Sequence, residues 1–496
     1  MILEYSKNND VDELLLETTL YTFASFCSSM PVDYIFLTDI IDLICEHINS
    51  AHSVSCLICL IEIVDLGKDK SNFNSLNLVK ANEEKIWFIF TKAFTFLEMY
   101  MKKFSNEKIF DVYKNMESSE KSFILRIAQL FSSLFETYVT FLENKNVQQS
   151  RITLDYLILI SKINDSKIFL VMFEMWSKLV FDLYVEFPFI NKTPTHKLRR
   201  HEYKGVLVKL LDCLVNKMPR PQEVFIVINE YGEVIKNKLI ETEQIEFYKK
   251  MKSCFYYLAF LIEDDMKRYF LTKTGDQLDK IEWSWENVNK LCWSIGCISE
   301  VFTEESERDF FIAILKYLLL LCEMKHSKSD KAVVASNIMF IIGQFHRFLL
   351  HNKSFLKTVV KKLFEFMDET HEGIKDMACD NFYKIAERCP REFLIQREQD
   401  KVFLVFILEN VKNITKTLEY YQKRFVYEAL LLIIKEIPYN ETNQHIVLNN
   451  INLLISSISD VNIFSNEYVN FLSVGIKSAN IYKLVSHVIK SHALVL

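Results

Sequence analysis

Glycine and proline are scarce in this chain, which has 8 and 7 of them among 496 residues. A sheet-rich or doubly wound protein of this length would need many more turn glycines. Half of the residues are hydrophobic and 25% are charged, so the chain can bury a large core and is not of the disordered class. The composition therefore predicts an all-α protein.

The chain also has no excess of basic residues. The formal net charge is -6, whereas binding of nucleic-acid phosphates needs a basic surface, so direct nucleic-acid binding is not expected. The longest apolar runs, such as residues 317–322, are too short to span a bilayer, and the N-terminus lacks the pattern of a signal peptide. The eleven cysteines show no extracellular disulfide spacing. These absences predict a soluble intracellular protein with free thiols and no membrane insertion.

Motifs for metal, nucleotide or catalytic chemistry are missing as well. Cys56 and Cys59 form a CxxC in an apolar run, but no second pair follows at zinc spacing, so we expect buried helix cysteines. The sequence ETHEG around His371 lacks a second metal ligand, and no glycines form a phosphate-binding loop. We therefore expect no cofactor, no metal and no enzymatic activity.

Apolar residues recur at helical spacing along the chain, at i, i+3, i+4 and i+7. Between residues 310 and 389 the helices fall in pairs with a period near ~45 residues, which is typical of HEAT-type repeats; about eleven would fit in the chain. The fold class predicted is an α-solenoid of HEAT-type helical hairpins. Helices are predicted over residues 85–101, 121–142, 206–217, 247–262, 310–325, 331–350, 355–367 and 374–388.

Three segments interrupt this rhythm. Residues 67–77 read as a polar loop, and residues 186–204 read as a long linker whose basic run 197–200 is expected to be a solvated loop. Residues 219–243 differ, because β-branched runs at 224–228 and 233–235 flank a turn-like sequence. This pattern predicts a β-hairpin inserted in a helical protein.

Two predicted helices near the centre carry parallel apolar stripes. Leu315, Leu319 and Cys322 share one face of the first helix, and the same spacing recurs on the next-but-one helix. The helix between them offers small and large apolar residues that would form a floor. On the residues alone, these stripes fit ordinary core packing better than a groove. The other residues of the set are Phe355, Val359, Lys362 and Phe366 on the second stripe, and Ala335, Ile338 and Met339 on the intervening helix.

Residues 283–389 include WSWENVNKLCWSIG, KYLLLLCEMKHSKSDKAVVASNIMFIIGQFHRFL and FLKTVVKKLFEFMDETHEGIKDMACDNFYKIAERC. This stretch resembles the cargo-binding centre of the exportin one family, karyopherins that carry leucine-rich nuclear export signals. The resemblance is continuous from about residue 14 to about residue 390 and weaker beyond. It implies a hydrophobic cleft between outer helices of two successive repeats, formed here by Leu315, Leu319, Cys322, Ala335, Ile338, Met339, Phe355, Val359 and Phe366.

The resemblance also assigns roles around that cleft. Lys316, Lys328 and Lys362 match basic residues that suit the acidic residues of export signals, although solvated lysine faces are the alternative reading. Cys322 matches a cysteine that electrophiles attack in the family, and it would be a binding-site thiol. A lone cysteine on an apolar helix face is otherwise packed and inert.

The sequence EVFIVINEYGEV resembles the family's long inner hairpin loop, which contacts the Ran GTPase or, without Ran, leans on helices behind the cleft. The resemblance therefore makes residues 219–246 a two-state regulatory element. The residues expected to act in it are Val227, Glu230, Gly232 and Glu233.

The resulting prediction is a nuclear export receptor, shuttling between nucleus and cytoplasm, that binds leucine-rich export signals and is coupled to Ran. Its implied partners are cargo proteins, Ran in its GTP form and nucleoporins. The resemblance also implies that the family's N-terminal Ran-binding arm and C-terminal repeats are absent, so a HEAT scaffold without Ran-dependent transport is the alternative. A thiol enzyme using Cys322 is disfavoured, because no activating base is evident. The segments expected are repeats at 1–218, the inner loop at 219–246, cleft repeats at 247–390 and divergent repeats at 391–496.

Overall fold

A computed structural model gives the structure of the chain. It describes residues 3, 12–69, 71, 73, 75–104, 109–186, 199–224, 226–228, 234–236, 241–278, 283–351, 353–395, 402–437, 449–450 and 453–454. The described residues are predominantly helical and divide into two compact units, 1–213 and 214–496. The all-α fold class predicted from composition and periodicity is confirmed.

The helices of the first unit lie in chain order before residue 214, except that the last one crosses that boundary. Short 3-10 turns follow several of them. The helices are α1 (Glu13–Phe26), α2 (Val32–Phe36), α3 (Ile40–Glu46), α4 (Ser53–Asp65), α5 (Leu76–Lys102), α6 (Ile109–Val112), α7 (Ser118–Ser161), α8 (Ser166–Glu186) and α9 (Arg199–Asn216).

The second unit opens with two short antiparallel strands, β1 (Ile226–Ile228) and β2 (Val234–Lys236). In their register Val227 is paired with Ile235. Ten helices follow: α10 (Thr242–Leu261), α11 (Glu263–Asp276), α12 (Trp285–Gly296), α13 (Glu304–Met324), α14 (Lys328–Gln344), α15 (His346–His351), α16 (Lys353–Met367), α17 (Glu372–Arg388), α18 (Phe403–Ile414) and α19 (Tyr420–Lys435).

Helices of the second unit form two layers. The first layer contains α11, α13, α16 and α18, whose starting residues are 41 to 50 positions apart. The second layer contains α12, α14, α17 and α19, and each of these packs on the next one in the series. The pairs α11–α12, α13–α14 and α16–α17 also pack on each other. Stacked pairs with this spacing are the HEAT-type arrangement predicted from the apolar period.

Close packing in the second layer depends on small residues. A Cβ on Gly296 would lie 2.4 Å from the Phe340 ring, and one on Gly343 would lie 2.3 Å from the Asn381 side chain. Polar side chains also join neighbouring helices of this layer, as when Asn337 donates to Asn289 at 2.6 Å. Glycine therefore lets successive second-layer helices approach each other closely.

Several boundaries differ from the predicted ones. The helix predicted over 331–350 is divided at Phe345, whose backbone conformation is not helical, into α14 and α15. The helix predicted over 121–142 lies within α7, which continues to Ser161 and contains non-helical backbone angles at Tyr138 and Asn146. The predicted strands are shifted by one or two residues.

The prediction that the basic run 197–200 is a solvated loop is wrong in part. Arg199 begins α9 and donates to both carboxylate oxygens of Glu143 at 2.6 Å, and it also pairs with Glu186. Tyr203 donates to Glu143 at 2.8 Å. The guanidinium thus joins α7, α8 and α9, a role that sequence spacing does not reveal.

The CxxC cysteines lie on α4 and are buried, as predicted. Cys59 donates to the carbonyl of Leu20 at 3.1 Å, and burial raises the pKa of its thiol to about 12. No group of metal-ligating side chains occurs among the described residues. Within those residues, no helix has the length and apolar character needed to cross a membrane.

Candidate functional site

The predicted cleft lies between α13 and α16. Their second-layer partners α14 and α17 pack closely on each other, whereas α13 and α16 make only sparse backbone contact. Helix α14 lies behind both and contacts each of them. The predicted cleft, called the groove below, would therefore have α13 and α16 as its walls and α14 as its floor.

The two walls run side by side in register. Near the start of both helices, the rings of Phe311 and Phe355 lie 6.0 Å apart. Near the end of α13, the thiol of Cys322 experiences the charges of Lys362, on α16, and of Glu369, two residues beyond that helix. The predicted site residues of α13 and α16 therefore lie on two helices that run side by side.

The α13 wall presents apolar side chains to solvent. Leu315 is buried, but Leu319 is 41% exposed and Cys322 is half-buried. Leu320 and Met324, which sequence reasoning did not select, are 46% and 47% exposed on the same helix. Leu319 and Leu320 are neighbours in the sequence and therefore point in different directions around the helix, so these residues do not form a single apolar stripe.

The α16 wall is more closed. Val359 and Phe366 are only 4% and 6% exposed, and Phe355 is half-buried. Lys362 lies over Phe366, with its Nζ 5.4 Å from the ring centroid and 2.6 Å from the carboxylate of Glu365. The lysine stem shields the ring, so this conformation exposes little of the apolar wall.

The floor of the groove is formed by Ala335, Ile338 and Met339, all of them buried. Helix α14 is buried around its whole circumference from Ala332 to Gly343, because it is surrounded by α12, α13, α16, α17 and both hairpin strands. These three residues therefore serve the core in this conformation, and a ligand would reach them only if the walls separated.

Aromatic packing closes one end of the groove. Phe348 on the short helix α15 lies with its ring 5.0 Å from both Phe311 and Phe355, and Phe345 stacks on Phe311 at 5.0 Å. The break at Phe345, which the sequence did not predict, places α15 between the walls. Cys322 lies toward the other end of α13.

The other two lysines selected from the sequence are solvent-exposed. Lys316 lies on α13 and Lys328 is the first residue of α14. Lys331 adds a further positive charge that reaches the Cys322 thiol. The groove therefore combines apolar walls with several cations at its margin.

Cys322 differs from the other ten cysteines, which are all buried. Burial raises the pKa of its thiol, and the nearby charges of Lys331 and Lys362 oppose that rise without cancelling it. The sulfur is therefore mainly a neutral thiol at pH 7. Its surroundings suit a ligand-binding position and do not activate it as a nucleophile.

The hairpin formed by β1 and β2 packs on helices of the second layer. Both strands contact α14, and β2 also contacts α17. Val227 is half-buried there. Glu230, Gly232 and Glu233, which were selected as regulatory residues, lie outside the described residues.

Lys236, at the end of β2, makes contacts that no feature of the sequence predicts. Its Nζ lies 2.7 Å from the Asp376 carboxylate on α17 and 2.7 Å from the Tyr421 hydroxyl on α19. Asp376 also accepts from Tyr421 at 2.7 Å and from Gln422 at 2.6 Å. Burial alone would lower the pKa of the Lys236 ammonium, but Asp376 and Tyr421 outweigh burial, and the pKa is raised.

Three family models match the chain. "CRM1 / Exportin repeat 2" matches residues 199–266, which include the hairpin, and "CRM1 / Exportin repeat 3" matches residues 279–329, which include the α13 wall. "Exportin 1-like protein" matches residues 1–60.

Curated relatives agree with these models. Exportin-1 of Schizosaccharomyces pombe is 35% identical over 462 residues, which cover 88% of this chain and 42% of that protein. Exportin-1 of Drosophila melanogaster is 35% identical over 85% of this chain and 39% of its own length. The chain belongs to the exportin 1 family.

Protein EXPORTIN 1A of Arabidopsis thaliana is 32% identical over 86% of this chain and 41% of its own length. The chain thus spans about two fifths of the length of these exportins and corresponds to a central portion of them. A crystal structure of importin beta is 12% identical, with a TM-score of 0.48, over 92% of this chain and 52% of that one.

Proposed function

We propose that this chain is the cargo-binding part of a nuclear export receptor and that leucine-rich export signals bind in the groove between α13 and α16. The groove itself supports this proposal. Its walls offer Leu319 and Cys322 at the surface and Val359 and Phe366 just beneath it, with lysines at the margin. An amphipathic peptide with large apolar side chains and acidic neighbours matches that chemistry.

The energies suit a receptor that must release its cargo. Each buried Leu or Phe anchor of a peptide gains roughly 1.5–3 kcal/mol, so four anchors give about 6–12 kcal/mol before other terms. Ordering a flexible peptide costs several kcal/mol, and so does opening the closed α16 wall. The net affinity would be weak unless a second ligand favours the open groove.

Ran in its GTP form is the second ligand of this proposal. The hairpin that packs on α14 and α17 is the two-state element. When it is docked, as here, the residues that line the groove are buried. When it is displaced, the walls α13 and α16 could separate. Cargo and Ran would then favour the same conformation reciprocally. Nucleoporins and shuttling between nucleus and cytoplasm belong to the same proposal, which includes no catalysed reaction.

The binding site is tested by fluorescence anisotropy of a labelled leucine-rich export peptide titrated with the chain. We expect Lys362→Glu to weaken binding about tenfold, because the change repels acidic peptide residues, and Phe366→Ala to weaken it at least as much. Lys361→Glu is the matched control, since Lys361 lies on the same helix with its Nζ toward the Phe406 ring, at 5.6 Å.

Circular dichroism checks that each variant keeps its helical content. Wild-type affinity in Lys362→Glu and Phe366→Ala would contradict the cleft assignment. Equal weakening by Lys361→Glu would indicate a general charge effect, which also argues against a specific groove. Absence of binding in all forms, with the fold intact, would leave the HEAT scaffold as the explanation.

A further inference from the structure

Two tryptophans flank the start of α12, in the sequence Trp283-Ser284-Trp285. Ser284 caps this helix, because its side chain accepts a hydrogen bond from the backbone N–H of Asn287 at 3.0 Å. A cap of this kind fixes the backbone where a helix begins. Both indoles are half-buried, and the capped backbone holds one on each side of Ser284.

Helix α14 begins with the same kind of cap, and each tryptophan contacts one side of it. The side chain of Ser327 accepts from the backbone N–H of Asp330 at 3.4 Å. The Nζ of Lys325, two residues before this cap, lies 3.4 Å from the centre of the Trp283 ring. The indole N–H of Trp285 donates to the Asp330 carboxylate, in the first turn after the cap. These two contacts between the starts of α12 and α14 are called the tryptophan clasp.

The clasp uses two strong kinds of contact. An indole is the best aromatic partner of an ammonium group, and a hydrogen bond to an ionised carboxylate is roughly twice as strong as one between neutral groups. Trp293, on the same helix, is only 8% exposed, and its indole N–H has no hydrogen-bond partner among the residues that the structure describes. Polar contacts therefore distinguish the tryptophans of the clasp from one that packs in the core.

The clasp acts on the part of α14 that carries cations of the groove margin. Lys328 and Lys331 are exposed at the start of this helix. Asp330 directly precedes Lys331, whose backbone N–H donates to the Ser327 carbonyl at 3.1 Å. Holding Asp330 against α12 therefore determines where Lys331 lies relative to the α13 wall.

The charges around Cys322 show how far Lys331 reaches. This cysteine lies near the end of α13, and charged side chains from α13, α14, α16 and the segment after α16 act on its thiol. They belong to Glu323, Lys331, Lys362 and Glu369. The thiol of Cys322 can therefore report the position of Lys331.

We propose that Trp283 and Trp285 are positioning residues for the basic margin of the groove. By holding the first turn of α14 against α12, the clasp keeps Lys328 and Lys331 where they attract the acidic residues of a cargo peptide. The role in cargo binding rests on the proposed function. The placement of Lys331 beside Cys322 does not, and it can be measured without cargo.

Maleimide labelling of Cys322 over a range of pH measures this placement, because the other ten cysteines are buried. Burial raises the pKa of the Cys322 thiol, and the positive charges of Lys331 and Lys362 oppose that rise. The midpoint of the labelling rate against pH therefore reports the charges near the thiol, whereas the maximal rate at high pH reports access to it. Hydrogen–deuterium exchange at the start of α14 reports the clasp itself.

We expect Trp285→Phe, which keeps a ring and removes the indole N–H, to move the midpoint to higher pH. The labelling rate at pH 8, relative to the maximal rate, should fall about twofold, because Lys331 is no longer held near the thiolate. Lys331→Met should shift the midpoint at least as far, and adding Trp285→Phe to it should give no further shift. Exchange of the Lys331 amide should become about threefold faster in Trp285→Phe.

Trp293→Phe is the matched control, since it makes the same substitution on the same helix at an indole N–H outside the clasp. It should leave the midpoint unchanged. Lys325→Met tests the other contact of the clasp without truncating an aromatic side chain, and it should also speed exchange at the start of α14. Circular dichroism checks that each variant is folded.

An unmoved midpoint in Trp285→Phe would overturn the inference, as would an equal shift in Trp293→Phe. A shift that persists in full when Lys331→Met is already present would overturn it too, because the clasp would then not act through that lysine.

Two labelled export peptides separate this inference from the proposed function, one with acidic residues and one with glutamine in their place. Trp285→Phe should weaken binding of the acidic peptide about threefold and leave binding of the neutral peptide unchanged. Equal losses for both peptides, or no loss for the acidic one, would overturn the positioning role. A shifted midpoint in a chain that binds neither peptide would support the placement of Lys331 by the clasp and contradict the proposed function.

Discussion

Gly296 shows how the absence of a side chain at one position allows two helices of the second unit to pack closely. A Cβ there would come within 2.4 Å of a carbon of the buried Phe340 ring, which cannot turn away in a packed core. We therefore expect Gly296→Ala to lower the free energy of unfolding by about 1–3 kcal/mol, measured by urea denaturation.

Gly205 provides the opposite control. It lies exposed within α9, and nothing lies within 4 Å of a Cβ placed on it. Gly205→Ala should raise the free energy of unfolding by roughly 0.5–1 kcal/mol, because alanine loses less backbone entropy in a helix. A stability loss in both variants, or in neither, would contradict the packing account of Gly296.

Cys322 allows a prediction about pH at the same scale. Burial raises the pKa of its thiol, so the reactive thiolate forms at higher pH than in a model thiol. The labelling rate should keep rising as pH increases past the ordinary cysteine range near ~8.5. Lys362→Met removes one of the charges that lowers this pKa and should move the profile to still higher pH, as measured by stopped-flow labelling from pH 7 to 10.

A labelling rate that levels off below pH 8 would show an activated thiolate. That result would contradict the reading of Cys322 as a binding-site residue without catalytic activation.

At the scale of elements, the short helix α15 decides which end of the groove is closed. Phe348 is 6% exposed and its ring contacts those of Phe311 and Phe355. Phe348→Ala should lower the free energy of unfolding by about 3–5 kcal/mol, as usual for a buried phenylalanine. Phe406→Ala, at a ring that is 39% exposed on α18, should cost well under half of that loss.

Equal losses of unfolding free energy for the two phenylalanine variants, in thermal or urea denaturation, would contradict the description of α15 as a helix packed between the walls.

The boundaries of helices show which features of the fold the sequence predicts and which it does not. Helical periodicity predicts α16 and α17 to within two residues and the end of α13 to within one, because each has one apolar face that packs on neighbours; α13 starts six residues earlier than predicted. It could not divide α14 from α15, since apolar residues continue at helical spacing across the break, at Ile341, Phe345 and Phe348. Tertiary packing of aromatic rings decides that break.

The polar contacts of the hairpin show the same limit of prediction from sequence. β-branched residues and turn signals predicted its two strands. Nothing in the sequence connects Lys236 with Asp376, 140 positions later, because both are ordinary charged residues until the fold brings them together. Arg199 and Glu143 illustrate this also: a run that looked like a solvated loop begins a helix, and its arginine pairs with a distant carboxylate.

At the scale of the whole molecule, the stacked helical pairs of the second unit and the match to exportins agree, although the chain spans only about two fifths of those relatives. The residues selected by resemblance lie on α13, α14 and α16, but most of them are buried, which a sequence cannot show. Whether walls are open or closed depends on the energy difference between two conformations of one fold.

The most direct test of the account is therefore the affinity of a leucine-rich export peptide, measured by fluorescence anisotropy with and without GTP-loaded Ran. The account predicts weak binding alone and at least about tenfold tighter binding with Ran present, a coupling of about 1.4 kcal/mol. Ran loaded with GDP is the control and should leave the affinity unchanged. Peptide binding that ignores GTP-loaded Ran, or no binding in either condition, would contradict the coupled export receptor proposed here.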